Sequence, residues 1–330
     1  MNATQTVLAS SVLREVPISV LIPTVNRPQM LKIVLTCLLS QTVLPKQVVI
    51  IDASESDETH RLCAEWRKSF SGILVYEKAK CRGAAAQRNQ GITATTEPFI
   101  LFMDDDIEFG LDCVEKLFTL LGRDVEKTWG GVNAMITNQQ YCSPGLLSRG
   151  LFRLVSGQDL PSYAGRCIGP VLTLLPQDDP SLPEYVQVEW LNTTCTLYRR
   201  EALPTLLFTT YFTGYSLGED VNLSLIVARN WKLANARTAR IVHHSYVGVG
   251  KPKGTQLAKM SLMNRYYIMT KTLKRNFIRD YLNLFLVEGF EMVSLLRFPR
   301  TWRQLPGMLA GKTSGAFVIL SQRKHFAAKD

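Results

Sequence analysis

The sequence predicts an α/β protein built on an open, mostly parallel sheet with flanking helices on both faces, plus a basic helical extension at the C-terminal end. Two observations predict the sheet. Apolar runs at 16–23 (VPISVLIP), 47–51 (QVVII) and 98–103 (PFILFM) each end at polar residues, as strands buried on both faces do. Helix-like segments alternate with strands, giving the order β-α-β-α-β-α-β-α over residues 16–136, which is that of a doubly wound sheet. The third observation concerns charge. Residues 237–330 carry 17 Lys and Arg against 4 Asp and Glu, whereas residues 1–236 carry 21 against 24. A basic tail on a near-neutral body points to an anionic partner for the tail.

Taken in order, residues 28–40 open with Pro28 at a first helical position and repeat apolar residues at Met30, Leu31, Val34, Leu35, Leu38 and Leu39. Residues 57–69 and 84–94 are further helical segments, and 111–121 has the spacing Val114, Leu117, Phe118, Leu121. Residues 137–185 are rich in Gly, Pro, Ser and Gln and poor in periodicity, which predicts a long functional or mobile loop. Strand character returns at 186–198 (VQVEWLNTTCTLY), a helix is expected over 219–229 (EDVNLSLIVAR), and short strands over 231–247. From about 255 the chain reads as helical and basic.

An apolar fraction of 46% with 20% charged residues is that of a globular chain of 330 residues, not a disordered one. No run of 18 apolar residues predicts a membrane span, and the first residues lack the pattern of a secretory signal. Seven scattered cysteines without a CxxC predict reduced thiols in a cytoplasmic protein and no structural zinc.

Ligands of a doubly wound sheet sit beyond the carboxyl ends of its strands. Thr24 to Arg27, Asp52 and Asp104–Asp106 all follow strand ends and should converge on one crevice. Three adjacent carboxylates repel one another unless a counter-charge is present. Hard oxygen ligands of this type suit Mg²⁺ or Mn²⁺ on a diphosphate, with Asp104 and Asp106 sharing a face and Asp105 turned elsewhere. The competing reading is a solvated acidic turn capping the next helix. Glu219 and Asp220 open a helix, where acidic residues favour the positive helix end or serve as a general base. His243 and His244 follow a short strand, so only one can face the crevice; a structural role for both is the alternative. Arg27, Arg82 and Arg88 lie where a diphosphate would need cations, although Arg88 is equally suited to an ion pair inside the protein.

Three segments together carry a resemblance: VLIPTVNRPQMLKIVLTCLLSQTVLPKQVVIIDASESD, then GAAAQRNQGI, then FILFMDDDIEF. In this order and spacing, over about residues 16–125, they resemble the family 2 glycosyltransferases. The likeness continues more loosely through LYRREAL, GEDVNLSLIVAR and VHHSY to about residue 247. The resemblance implies a GT-A fold (Rossmann-like), a nucleotide-diphosphate sugar donor, a divalent metal and inversion at the anomeric carbon. It implies a catalytic domain over 1–250 and a basic helical region over 251–330. Pro23, Thr24 and Arg27 would line the nucleotide pocket, Asp52 would meet the base, and Arg88 would stand near nucleotide or sugar. Asp104 and Asp106 fall on the DxD motif that holds metal and diphosphate, with Asp105 among the donor contacts. Asp220 would be the base with Glu219 beside it, and His243 or His244 would approach the metal. The second-strand motif departs from the family at Ala53. The segment MSLMNRYYIMTKTLKR is similar to one in members that build bacterial surface polysaccharide, which implies a saccharide or lipid-linked acceptor.

The rival readings are a noncatalytic nucleotide-sugar-binding protein and a nucleotidyltransferase, although the latter would carry a Gly- and Lys-rich loop where this chain has PTVNRP. No nucleic acid is expected as a partner, because no module interleaves basic with stacking residues. Residues 281–297, flanked by Arg275, Arg279, Arg297, Arg300 and Arg303, suit either an interfacial helix on an anionic membrane, with Trp302 at headgroup depth, or a helix packed on the body with its basic side in water.

Overall fold

A computed structural model describes residues 14–212, 214–245, 252 and 254–327. The first half runs β1 (Arg14–Thr24), α1 (Pro28–Leu39), β2 (Val43–Asp52), α2 (Glu58–Trp66), β3 (Ile73–Lys78), α3 (Ala84–Gly91), β4 (Phe99–Met103), β5 (Ile107–Phe109), α4 (Cys113–Arg123) and β6 (Trp129–Ile136). Then follow α5 (Leu146–Ser156), β7 (Cys167–Ile168), β8 (Leu172–Thr173), β9 (Tyr185–Val188), β10 (Cys195–Arg199), α6 (Glu219–Val227) and β11 (Lys232–His243). The main sheet has the order β3-β2-β1-β4-β10-β6-β11-β5, with β9 also paired to β11.

Strands β1 to β4 pair in parallel, as their alternation with helices requires. The sheet does not end near residue 136, and it is not parallel throughout. Strand β10 runs antiparallel between β4 and β6, and β11 is parallel to β6 but antiparallel to β5 and β9. Apolar content reveals a strand but not its direction, so these pairings were illegible in the sequence. The stretch expected as short strands is one strand with a register shift between Ala236 and Arg240; Tyr246 and Val247 lie outside the described residues, as does the expected domain boundary at 250. The segment 137–185 also contains more order than expected, since α5 and the β7–β8 ribbon lie within it. Gly150 in the middle of α5 and its short apolar face, Phe152 and Val155, had hidden it.

The core forms on both sheet faces. On one face Leu31, Val34, Leu35 and Leu38 of α1 and Val114, Leu117 and Leu121 of α4 pack with Ile18, Val20 and Ile22 of β1. On the other, Ala85 of α3 and Leu223 and Val227 of α6 pack with Leu21, Ile51 and Phe102. Helix α3 lies very close to the sheet: a Cβ on Gly91 would stand 2.2 Å from Leu21 Cδ1 and 2.9 Å from Ile51 Cγ1. Both neighbours are fully buried and have nowhere to go. Gly91→Ala should therefore cost about 1–3 kcal/mol by overpacking, read as a fall in the urea midpoint at unchanged slope.

The C-terminal part comprises α7 (Thr255–Tyr267), a π-helical turn at Ile268–Thr272, α8 (Ile278–Ser294) and α9 (Leu305–Ala327). Gly311 lets α9 close on α7, because a Cβ there would meet Thr255 O at 2.2 Å. Helix α8 packs on α5 through Val287, beside Phe152 and Val155. Its buried side also carries acidic residues. Arg265 of α7 pairs with Glu288 (2.9 Å) and Glu291 (2.5 Å), and Lys312 of α9 pairs with the same two carboxylates. Of the two arrangements the sequence left open for this segment, the helix packs on the body through Leu284, Val287 and its glutamates, and it also leaves an apolar side outward. Ile278, Leu282, Phe285 and Val293 are all exposed. All seven cysteines are free thiols, and among the described residues no helix is long and apolar enough to cross a membrane.

Candidate active site

Strand β4 ends at Met103 in mid-sheet and hands the chain to Asp104, whose N–H donates to Thr194 O (2.9 Å) just before β10. The chain then turns into β5, which pairs with the end of β11 so that His243 lies opposite Ile107. That register brings His243 Nε2 to 3.2 Å from Asp106 Oδ1. Single ligand atoms from Asp104, Asp106 and His243 all lie within 4.8 Å of one another. The ring is held from behind: Nδ1 lies 3.3 Å from Ser245 Oγ and 3.5 Å from Gln139 Nε2, while Asn138 brackets the backbone of His243 at both N–H and C=O. Such support behind an imidazole fixes which nitrogen faces forward. His244 Nε2 instead lies 2.8 Å from Glu108 Oε1. Register therefore places His243, and not His244, against the aspartates.

Asp105 faces the first strand. Its carboxylate accepts from Thr24 Oγ1 (2.7 Å) and from Arg27 (3.2 Å), and Arg27 also reaches Asp106 Oδ2 (3.2 Å). Burial pushes the Asp105 carboxyl up to about 6, against the opposing pull of Thr24 and Arg27 and with the help of its two acidic neighbours. Arg88 is buried and bridges two carboxylates, Asp104 Oδ1 and Glu219 Oε1, each at 2.6 Å. This is the internal ion pair that the sequence left open, and it ties the acidic turn after β4 to the start of α6. Glu219 is buried with Oε2 unpartnered among the described residues, and burial pushes its carboxyl up to about 7. Asp220 is half-buried, accepts from Val221 N–H (2.8 Å), and is pushed up to about 6, first by burial. Gly218 makes the sharp entry to α6 with φ 83°, in the left-handed region that favours glycine.

Pro23 and Thr24 are buried at the end of β1, near the acidic turn through the Thr24–Asp105 bond. Asp52 stands apart. It is fully buried, and its carboxylate is occupied by Tyr76 Oη (2.7 Å), Lys78 Nζ (3.2 Å) and Ser54 N–H (2.8 Å). Arg82 pairs with exposed Glu55 (2.6 Å) on the rim. Sequence reasoning missed Asn138, Gln139, Thr194 and Gln87. Gln87 Nε2 donates to Thr24 O and Ile51 O and pins the two strand ends that diverge at the crevice. A Gln inside a helix that opens Gly-Ala-Ala-Ala was the one signal available for it.

Two carboxylates and one imidazole are the donor chemistry of a small divalent cation with places left for phosphate or water. The 3.2 Å between Asp106 Oδ1 and His243 Nε2 is close to the roughly 3 Å between adjacent corners about an ion whose ligands stand some 2.1 Å away. The residues fit the group.

Residues 19–152 match the model of glycosyl transferase family 2. This segment is similar to the family 2 glycosyltransferases. The sheet continues past the matched residues, since β9, β10 and β11 complete it. The amylovoran biosynthesis glycosyltransferase AmsB of Erwinia amylovora is 29% identical over 114 residues, covering 34% of this chain and 38% of AmsB. An uncharacterized glycosyltransferase of Rickettsia conorii, RC0461, is 33% identical over 108 residues, 33% of this chain and 18% of that protein. The match thus spans well under half the length of these curated relatives. Among solved structures, the mannosyltransferase PcManGT from Pyrobaculum calidifontis, in complex with GDP-Man and Mn²⁺, is similar with a TM-score of 0.52 at 13% identity, covering 94% of this chain and 80% of that one. GalNAc-T7 with UDP, GalNAc and Mn²⁺ gives 0.50 at 14% identity, covering 81% and 54%. These likenesses are of fold: the sheet and its flanking helices have the GT-A architecture, and the helices α7 to α9 follow.

Proposed function

We propose that the chain transfers a sugar, with inversion, from a nucleotide-diphosphate donor to the hydroxyl of a saccharide or lipid-linked acceptor in cell-surface polysaccharide or glycolipid synthesis. The observation that carries this reading is the meeting of Asp104, Asp106 and His243 at the strand ends, with Arg88 joining Asp104 to Glu219 beside Asp220. The GDP-Man and Mn²⁺ of PcManGT and the UDP and Mn²⁺ of GalNAc-T7 support the donor and metal classes. The catalytic unit would run to about residue 250, with the basic helices beyond it meeting the acceptor or an anionic membrane.

Asp104, Asp106 and His243 would hold Mn²⁺ or Mg²⁺, which when bound supplies positive charge to the diphosphate oxygens as they leave. Asp220 accepts the proton of the acceptor hydroxyl while that oxygen bonds to the anomeric carbon and the bond to the diphosphate breaks. Arg88 holds Glu219 and Asp104 in fixed relation, and Thr24 and Arg27 hold Asp105 and Asp106. Pro23 and Thr24 form the floor under the nucleotide.

Binding and hydrolysis of UDP-, GDP- and dTDP-sugars, measured with and without Mn²⁺ or Mg²⁺, test the reading. One donor should bind in a metal-dependent way, and Asp104→Ala and Asp106→Ala should each weaken that binding roughly 100-fold or more. His243→Ala should weaken metal dependence and His244→Ala should leave it nearly unchanged. Metal-independent binding, or none by folded protein, would remove the assignment.

A further inference from the structure

Helix α8 has a second apolar side, facing outward, besides the Leu284 and Val287 that it buries. Positions 278, 282, 285, 286, 289 and 293 fall on one side of it at helical spacing. Five of these are Ile278, Leu282, Phe285, Leu286 and Val293, with exposures of 81%, 57%, 75%, 40% and 62%, and the sixth is Gly289. Arg279 borders that side, and no acidic residue shares it. The helix's glutamates, Glu288 and Glu291, are instead turned inward onto Arg265 and Lys312. Turning a buried and a partly buried carboxylate inward while five large apolar side chains remain outward is unfavourable in water, and becomes favourable where the outer medium is itself apolar.

The apolar side continues into Leu296, Phe298 and Trp302, exposed by 51%, 47% and 52%. Arg297 and Arg300 flank the Phe298 ring at 5.4 and 5.6 Å. Over 271–304 the chain has seven Lys and Arg, and of its three acids two are the inward-turned, ion-paired glutamates and the third, Asp280, accepts from Phe277 N–H at the start of the helix. We infer that the outward side of α8 and the segment 295–303 dock on an anionic lipid surface, with the apolar side chains below the headgroups and Arg297, Arg300 and Arg303 on lipid phosphates. A second copy of the chain is the weaker occupant, because a symmetric interface would bring two sets of these arginines together.

The test is co-sedimentation of the full chain with vesicles of phosphatidylcholine alone, or of phosphatidylcholine and phosphatidylglycerol in equal parts, alongside sedimentation velocity without lipid. It needs no donor, so it is independent of the proposed transfer activity. Binding to the anionic vesicles should exceed binding to the neutral ones by roughly 100-fold at low salt and fall as salt rises. Leu282→Ser with Phe285→Ser, both at exposed positions, should lower it at least about tenfold with an unchanged thermal transition. Replacing Arg297, Arg300 and Arg303 by Ala should remove the preference for anionic lipid. Equal, weak binding to both vesicles would overturn the inference. So would a dimer in the absence of lipid that Leu282→Ser/Phe285→Ser converts to monomer, which would assign the face to a second copy.

Discussion

Asp220→Asn is expected to lower turnover about 10²–10⁴-fold while metal-dependent donor binding stays near its wild-type value. The amide keeps the size of the side chain and a carbonyl oxygen for the Val221 N–H (2.8 Å), so α6 should start as before. Only the ability to take a proton is lost. The same role predicts a pH limb. Burial holds the Asp220 carboxyl up at about 6, and a base works only when ionised. Turnover should thus fall as pH drops through about 6 and level off above it, and Asp220→Asn should erase that limb. Glu219→Gln is the contrast: with its carboxyl bonded to Arg88 it should change kcat far less and leave the limb in place. If Glu219→Gln removed the limb and Asp220→Asn did not, the two carboxylates would exchange roles.

The second large effect is on stability. Arg88→Met removes the cation that bridges Asp104 and Glu219, and should cost about 3–5 kcal/mol because it leaves buried carboxylate charge uncompensated. Denaturant unfolding measures it. Adding Glu219→Gln to Arg88→Met should recover a substantial part, since one of the stranded charges is then gone. A double variant no more stable than the single one would show that Arg88 acts through packing, for instance on the Phe208 ring 6.0 Å away.

What could be read beforehand follows from what a single chain encodes. Asp104–Asp106 and Glu219–Asp220 were legible because they sit where apolar runs stop and a helix starts, and those positions are local properties. The choice of His243 over His244 needed the pairing of β5 with β11, which is not local. Asp52 follows a strand like the others, and no spacing in the sequence announces that Tyr76 and Lys78 of β3 engage its carboxylate. Arg88 was visible as a cation near the site, but its two partners are 16 and 131 residues away. Helix α8 was legible as amphipathic, but not which side packs, because the partners of its glutamates, Arg265 and Lys312, lie on other helices.

The antiparallel β10 has a consequence for how the protein is made. Among the described residues it is the strand bonded to both β4 and β6, and it is synthesised after both. A nascent chain that has emerged only through residue 152, where the family match ends, carries one four-stranded fragment, β3-β2-β1-β4, with a raw hydrogen-bonding edge at β4, while β5 and β6 have no strand partner yet. The sheet cannot extend until the segment reaching Arg199 arrives from the ribosome and joins β4 to β6, and β11 must then follow. The first half therefore waits on the second, which makes it a natural client for chaperones during synthesis.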